Sequence, residues 1–223
     1  MDGIRGICEA FSQAAARAAR LGVDALELHG GHGYLIHQFL SPLYNHRLDD
    51  YGGSLENRMR FVIEVFEGVR AAFPEERPVG IKLSVADGVP GGWDVTQSVA
   101  LASTLKQRGV DWISTSTTQP DGGRIAAPPL YHAGPGAALR RQSGIRLIGS
   151  GSIDDAQQAE NLIAQGQADL VAIGRGMLYD PRWGWRAASE LHGKVRVRSP
   201  YAFGAPRPLA EAFIRVPEAR EHE

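Results

Sequence analysis

Cysteine is almost absent: Cys8 stands alone in 223 residues. A single thiol excludes an internal disulfide and any four-thiolate zinc or iron–sulfur site built by this chain alone, and it fits a reducing compartment. Long apolar runs are missing too. No stretch approaches the roughly 20 residues of a membrane-spanning helix, and Asp2, Arg5 and Glu9 interrupt any signal-peptide core. The expectation is a cytoplasmic protein without a membrane partner. Nor is there an excess of either charge: 24 Lys+Arg against 25 Asp+Glu leave a formal net charge of -1, interspersed rather than blocked, which argues against a nucleic-acid partner. What is present is enough apolar residue, 43%, to fill one sizeable core.

Apolar positions Ile4, Ile7, Phe11, Ala14, Ala15, Ala18 and Leu21 recur at helical spacing, and Gly22 stands where a C-cap is expected. A strand follows over residues 25–28. The junction Leu21-Gly22-Val23-Asp24-Ala25-Leu26 is echoed by Arg108-Gly109-Val110-Asp111-Trp112-Ile113 and, one residue longer, by Gln165-Gly166-Gln167-Ala168-Asp169-Leu170. Each copy ends a helix with glycine and opens an apolar strand, which predicts a parallel sheet with crossover helices. Further strands are expected over residues 79–84, 112–116, 146–148 and 170–173. Lys82 is out of place in the first of them.

Helices are predicted after Ser54, with Phe61, Val62, Val65, Phe66 and Val69 inward, and over residues 96–106, with Val99, Leu101, Ala102 and Leu105 inward. Two more are expected, one short around residues 137–142 and one over 156–165 capped by Asp154. The stretch 117–135, rich in proline and glycine, has the length of a functional or mobile loop. From Arg196 the chain is expected to form a partly disordered tail, with Tyr201 and Phe203 docking on the domain or on a neighbouring subunit. The domain itself spans residues 1–195.

Two segments carry chemistry. In Glu27-Leu28-His29-Gly30-Gly31-His32-Gly33-Tyr34 a strand runs into a turn whose glycines present two histidines and a phenol. Three readings stand open: a metal site of His29, His32 and His37, a turn whose histidines only satisfy backbone groups, and a clamp of imidazoles on one substrate oxygen. In the second segment, Gly149-Ser150-Gly151-Ser152 and Gly174-Arg175-Gly176 follow the last two strands. Glycine amides with a fixed cation suit a phosphate, and adjacent loops of this kind hold phosphate in (β/α)₈ barrels.

Taken together, His29-Gly30-Gly31-His32-Gly33-Tyr34, Phe39-Leu40-Ser41-Pro42, Asn45, Arg47, Asp49, Tyr51-Gly52-Gly53-Ser54, Glu56-Asn57-Arg58 and Arg60-Phe61 resemble the Old Yellow Enzyme family of FMN-dependent ene-reductases. The paired histidines are similar to its xenobiotic-reductase-like branch, and the match runs from about Ile4 to Pro181. The resemblance implies a (β/α)₈ TIM-barrel fold, FMN as cofactor, NADPH or NADH as hydride donor and a small α,β-unsaturated substrate. It implies that His29 and His32 hold the substrate oxygen and that Tyr34 donates a proton. It also implies that Lys82, in place of the family's usual arginine, lies beside the flavin pyrimidine ring, with Ser150, Gly151, Gly174 and Arg175 at the FMN phosphate. Only about five βα units are present, similar to the fourth to eighth strands of the family barrel. The expectation is therefore an incomplete barrel, with a homo-oligomer or a complementing barrel fragment as its partner.

Overall fold

A computed structural model of the chain describes residues 2–116 and 133–216. The proline- and glycine-rich stretch singled out above falls, through residue 132, outside the described residues.

Five parallel strands carry the fold. β1 (Leu26–Gly30), β2 (Val79–Ser84), β3 (Ile113–Ser116), β4 (Leu147–Gly149) and β5 (Leu170–Val171) lie side by side in chain order. Each pairs parallel with the next. Parallel neighbours need crossovers, and helices supply them: α3 (Leu55–Ala72), α4 (Val95–Gln107), α5 (Ala133–Ser143) and α6 (Ala156–Ala164), with α1 (Asp2–Arg20) ahead of β1. The strand and helix bounds differ from the sequence-based ones by a residue or two, except that α5 begins at Ala133 rather than near residue 137.

Register sorts the side chains into two faces. Leu28 pairs with Ile81, Ile81 with Ile113 and Ile113 with Leu147, and these buried residues meet the helices. One residue along, Glu27 pairs with Gly80, His29 with Lys82, Lys82 with Ser114 and Ser84 with Ser116. Because side chains alternate, all of these occupy the opposite face. Both faces of β2 and β3 are nevertheless well covered. A Cβ on Gly80 would come within 2.1 Å of the Trp112 ring, so glycine is what lets that indole lie across the strand.

The helices are placed as their sequences dictate. The Ser54 hydroxyl accepts from the Asn57 amide at the start of α3, whose expected inward residues are all buried. The inward face of α1 is narrower than expected: Ile4 and Ala15 are buried, whereas Ala14 is exposed and Leu21, just past the last turn, is 82% exposed. Asp155, not Asp154, caps α6, accepting from the Gln158 amide. Gln158 reaches back to accept from the Asp154 amide at 3.0 Å, which holds Asp154 outside the helix.

Beyond β5 come α7 (Arg175–Tyr179) and α8 (Trp183–Glu190). β6 (Val195–Arg198) then pairs parallel with β7 (Phe213–Val216) in a separate two-stranded sheet. Tyr201 meets Trp185 edge-on at 5.9 Å between ring centroids, so this aromatic docks within the chain. Phe203 is largely exposed, with the Arg215 guanidinium 5.2 Å from its ring centroid.

Candidate active site

The turn after β1 is built by close packing as much as by bending. A Cβ on Gly31 would lie 2.8 Å from the Ser116 hydroxyl and 3.1 Å from the Ser84 amide, and one on Gly30 would lie 2.9 Å from the Lys82 carbonyl. These two glycines let β1 press against β2 and β3. The reversal itself is at His32 (φ +59°) and Gly33 (φ +75°), both left-handed. The His32 amide donates to the Ser84 hydroxyl at 2.9 Å, which holds a non-glycine residue in that conformation. The ring of His29 consequently lies 5.0 Å from that of His32 and 5.5 Å from that of Tyr34.

Desolvation by partial burial, and then the nearby charge of Lys82, push the His29 and His32 pKa values below the ordinary imidazole value of 6.5. Both rings are therefore neutral at pH 7, each with one N–H to donate and one lone pair. Tyr34 is 63% exposed beside them. His37 is not part of this group: its Nε2 lies 2.7 Å from the Asp87 carboxylate, with both side chains fully buried. Among the described residues, no cluster of three or more His, Cys, Asp or Glu is arranged to hold a metal ion.

The glycine loops lie across the sheet from the histidines. Ser150 donates to the Thr115 carbonyl, and Gly151 (φ +117°) and Ser152 (φ +48°) turn the chain back. One guanidinium nitrogen of Arg175 donates to the Ser152 hydroxyl at 3.1 Å, and among the described residues Arg175 has no carboxylate partner. A cavity of about 410 Å³ has His32, Lys82, Ser116, Ser150, Gly151, Ser152, Asp154, Gly174 and Arg175 in its lining. It joins one histidine of the turn, the strand lysine and both glycine loops, whereas His29 and Tyr34 stand outside its wall. The acidic group in the same cavity wall is that of Asp154. A larger hollow, about 890 Å³, lies near the start of β3. Its cations already have partners, since Arg108 meets Glu67 at 2.7 Å and Arg70 lies 4.0 Å from Asp111.

The same face carries residues that the motifs did not single out. The Glu27 carboxylate accepts from Trp112 Nε1 at 2.8 Å and from the Ser114 hydroxyl, two positions before His29 on β1. Strand alternation alone would have put Glu27, Lys82, Ser84, Ser114 and Ser116 together.

Five parallel βα units with glycine loops at the ends of their last two strands form a segment of a βα-barrel. The chain belongs to the NADH:flavin oxidoreductase / NADH oxidase family, whose model matches residues 1–194. It is 40% identical over 195 residues to an NADPH dehydrogenase of Bacillus pumilus (strain SAFR-032), which covers 87% of this chain and 57% of that protein. It is 37% identical over 203 residues to the NADPH dehydrogenase of Bacillus subtilis (strain 168), covering 91% and 60%.

Among solved structures, morphinone reductase superposes with a TM-score of 0.72 at 33% identity, over 96% of this chain and 57% of that one. The old yellow enzyme homologue from Zymomonas mobilis superposes at 0.71 and 26% identity, over 85% and 53%. The chain thus spans a little over half the length of the curated relatives it matches. Its five-stranded parallel sheet covers only part of the TIM barrel of its Old Yellow Enzyme-type neighbours. FMN and a nicotinamide are the cofactors of this class. No described helix is long and apolar enough to cross a membrane.

Proposed function

We propose that this chain forms the substrate and phosphate side of an FMN-dependent NAD(P)H oxidoreductase that reduces the activated C=C bond of an enone, or a nitro-type compound. The observation that carries the proposal is the single cavity walled by His32, Lys82 and Arg175. The residues fit a phosphorylated flavin. Arg175 has no ion-pair partner among the described residues, Gly151 (φ +117°) turns the neighbouring loop, and a Cβ on Gly174 would meet nothing within 4 Å. α7 has only five residues, so its dipole is small and the guanidinium supplies most of the attraction.

When bound, FMN carries hydride from NADPH or NADH to the substrate's β-carbon. The chain's own groups do the rest. His29 and His32 hold the substrate carbonyl or nitro oxygen and stabilise the negative charge that grows on it. Tyr34, 5.5 Å from His29, donates the proton that the α-carbon takes up. Lys82, beside His29 in the register, places a positive charge next to the flavin pyrimidine ring. Ser150, Gly151, Gly174 and Arg175 hold the phosphate.

A second reading has its own observation. Among the described residues β1 and β5 have no outer strand partner, and Leu170 on β5 is 61% exposed, which suits a catalytically inactive barrel fragment that pairs with another chain. One experiment separates the two. The purified chain is mixed with FMN, freed of excess flavin and supplied with NADPH and 2-cyclohexenone. The proposal predicts retained flavin absorbance and enone-dependent NADPH oxidation. A folded, colourless chain that oxidises no NADPH contradicts it, and recovery of both signals only on adding a polypeptide with the missing barrel units establishes the second reading.

A further inference from the structure

We infer that His37 and Asp87 are positioning residues of this site: together with Ser41 and Trp93 they form a buried lock that fixes the turn bearing His32 and Tyr34 against the strand bearing Lys82. The catalytic consequence rests on the function proposed above, whereas the geometric claim does not.

α2 (Leu35–Leu40) begins directly after Tyr34, which caps it without any side-chain hydrogen bond. A helix of six residues has little stability of its own, so its orientation must come from tertiary contacts. His37, on this helix, places Nε2 2.7 Å from Asp87 Oδ1. The Ser41 hydroxyl, at the C-terminal end of α2, donates to Asp87 Oδ2 at 2.6 Å, and the Trp93 amide donates to the same oxygen at 2.7 Å. One carboxylate therefore grips the middle and the C-terminal end of the helix that Tyr34 opens. The network continues outward, since Trp93 Nε1 donates to the Ser98 hydroxyl at 2.6 Å, and that hydroxyl donates to the Val85 carbonyl at 2.9 Å.

Asp87 lies five positions beyond Lys82 and three beyond Ser84, whose hydroxyl accepts from the His32 amide. Two tethers, His32 to Ser84 and His37 to Asp87, thus join the same two segments. Stability alone does not call for such a lock, because apolar residues of similar volume commonly serve as well as a buried ion pair. Among the described residues His37 Nδ1, which is buried, has no hydrogen-bond partner, a cost that an apolar side chain would not carry. What the polar groups add is direction: a hydrogen bond fixes an angle that apolar packing leaves loose.

The test compares His37→Leu, His37→Gln and Ser41→Ala with the unaltered chain. The first readout needs neither flavin nor substrate: cross-relaxation by NMR between the aromatic protons of His29 and Tyr34. The lock predicts that this signal is lost in H37L, weakened in S41A and kept in H37Q, whose amide nitrogen reaches Asp87. With FMN and enone present, kcat falls about 10- to 100-fold in H37L, the size expected when a reacting group is misplaced by about 1 Å. KM for NADPH stays unchanged. If H37L does not fold, S41A carries the same test. An unchanged His29–Tyr34 signal in a folded H37L or S41A overturns the inference, as does an H37Q that behaves like H37L. If the unaltered chain binds no flavin, the proposed function fails while the NMR comparison still decides on the lock.

Discussion

Replacing His29 and His32 together by alanine is expected to slow enone-dependent turnover by about 10³- to 10⁴-fold while bound flavin absorbance persists. In the proposed site the two rings, 5.0 Å apart, direct their N–H groups at one substrate oxygen. Hydride arrival at the β-carbon pushes negative charge onto that oxygen, so the donors matter more at the transition state than in the ground state. Loss of one donor of this kind costs about 10²- to 10³-fold in kcat, and two donors on one oxygen act as a unit, so the double loss falls short of the product. Burial and Lys82 keep both rings neutral at pH 7, so they act as hydrogen-bond donors without a formal charge of their own. His32→Asn retains a donor and is expected to stay within about tenfold of the parent rate. Stopped-flow reoxidation of reduced flavin by 2-cyclohexenone reads the step directly. A double variant that reoxidises at the parent rate removes the histidines from the chemistry.

Asp87→Ala is expected to destabilise the folded chain by about 3–5 kcal/mol, the cost of breaking a buried pair by removing one partner. Three donors converge on this fully buried carboxylate, and truncation leaves His37, Ser41 and the Trp93 amide without it. Burial by itself would raise the Asp87 pKa, but the hydrogen bonds from His37, Ser41 and the Trp93 amide outweigh burial and hold it below the ordinary value of 3.8.

A carboxyl whose folded pKa is depressed contributes stability above its unfolded pKa and loses it as pH falls through the lower folded value. His29 and His32 are depressed as well, so their contribution is complete above 6.5 and declines as pH drops below it. Acid unfolding therefore has two windows, one beginning at 6.5 and one beginning at 3.8. Urea titrations at a series of pH values measure both. D87A lowers the neutral-pH midpoint and diminishes only the lower window, to which Asp169, held below the ordinary value by Arg140, also contributes. A loss below about 1 kcal/mol, the size of one ordinary hydrogen bond, contradicts the account of the cluster.

Much of this was legible in the residues. The three glycine-to-strand echoes marked crossovers that the structure places ahead of β1, β3 and β5, because the period of the apolar pattern follows directly from helix and strand geometry. Lys82 looked misplaced in an apolar strand, and it lies on the polar face of the sheet beside His29. The glycines between the histidines were a subtler matter. Sequence suggested a bend at all three, but Gly30 and Gly31 are required by the closeness of Ser84, Ser116 and the Lys82 backbone, which only the assembled sheet brings near.

The buried lock was out of reach altogether. His37 and Asp87 are 50 positions apart, and nothing local distinguishes a histidine destined for a carboxylate from one destined for a metal. Asp154 and Asp155 are equal candidates for a cap by residue type. The choice fell to the reach of Gln158.

The central claim is that the turn after β1 and the loops after β4 and β5 enclose one flavin. Titration of the chain with FMN, followed by NMR at the His32 imidazole and at the Arg175 side chain, tests it most directly, since both line the cavity of about 410 Å³. The account predicts that both signals move together and yield the same Kd. Movement of Arg175 with an unperturbed His32 would mean that phosphate binds apart from the histidines, and the proposed chemistry would have no site.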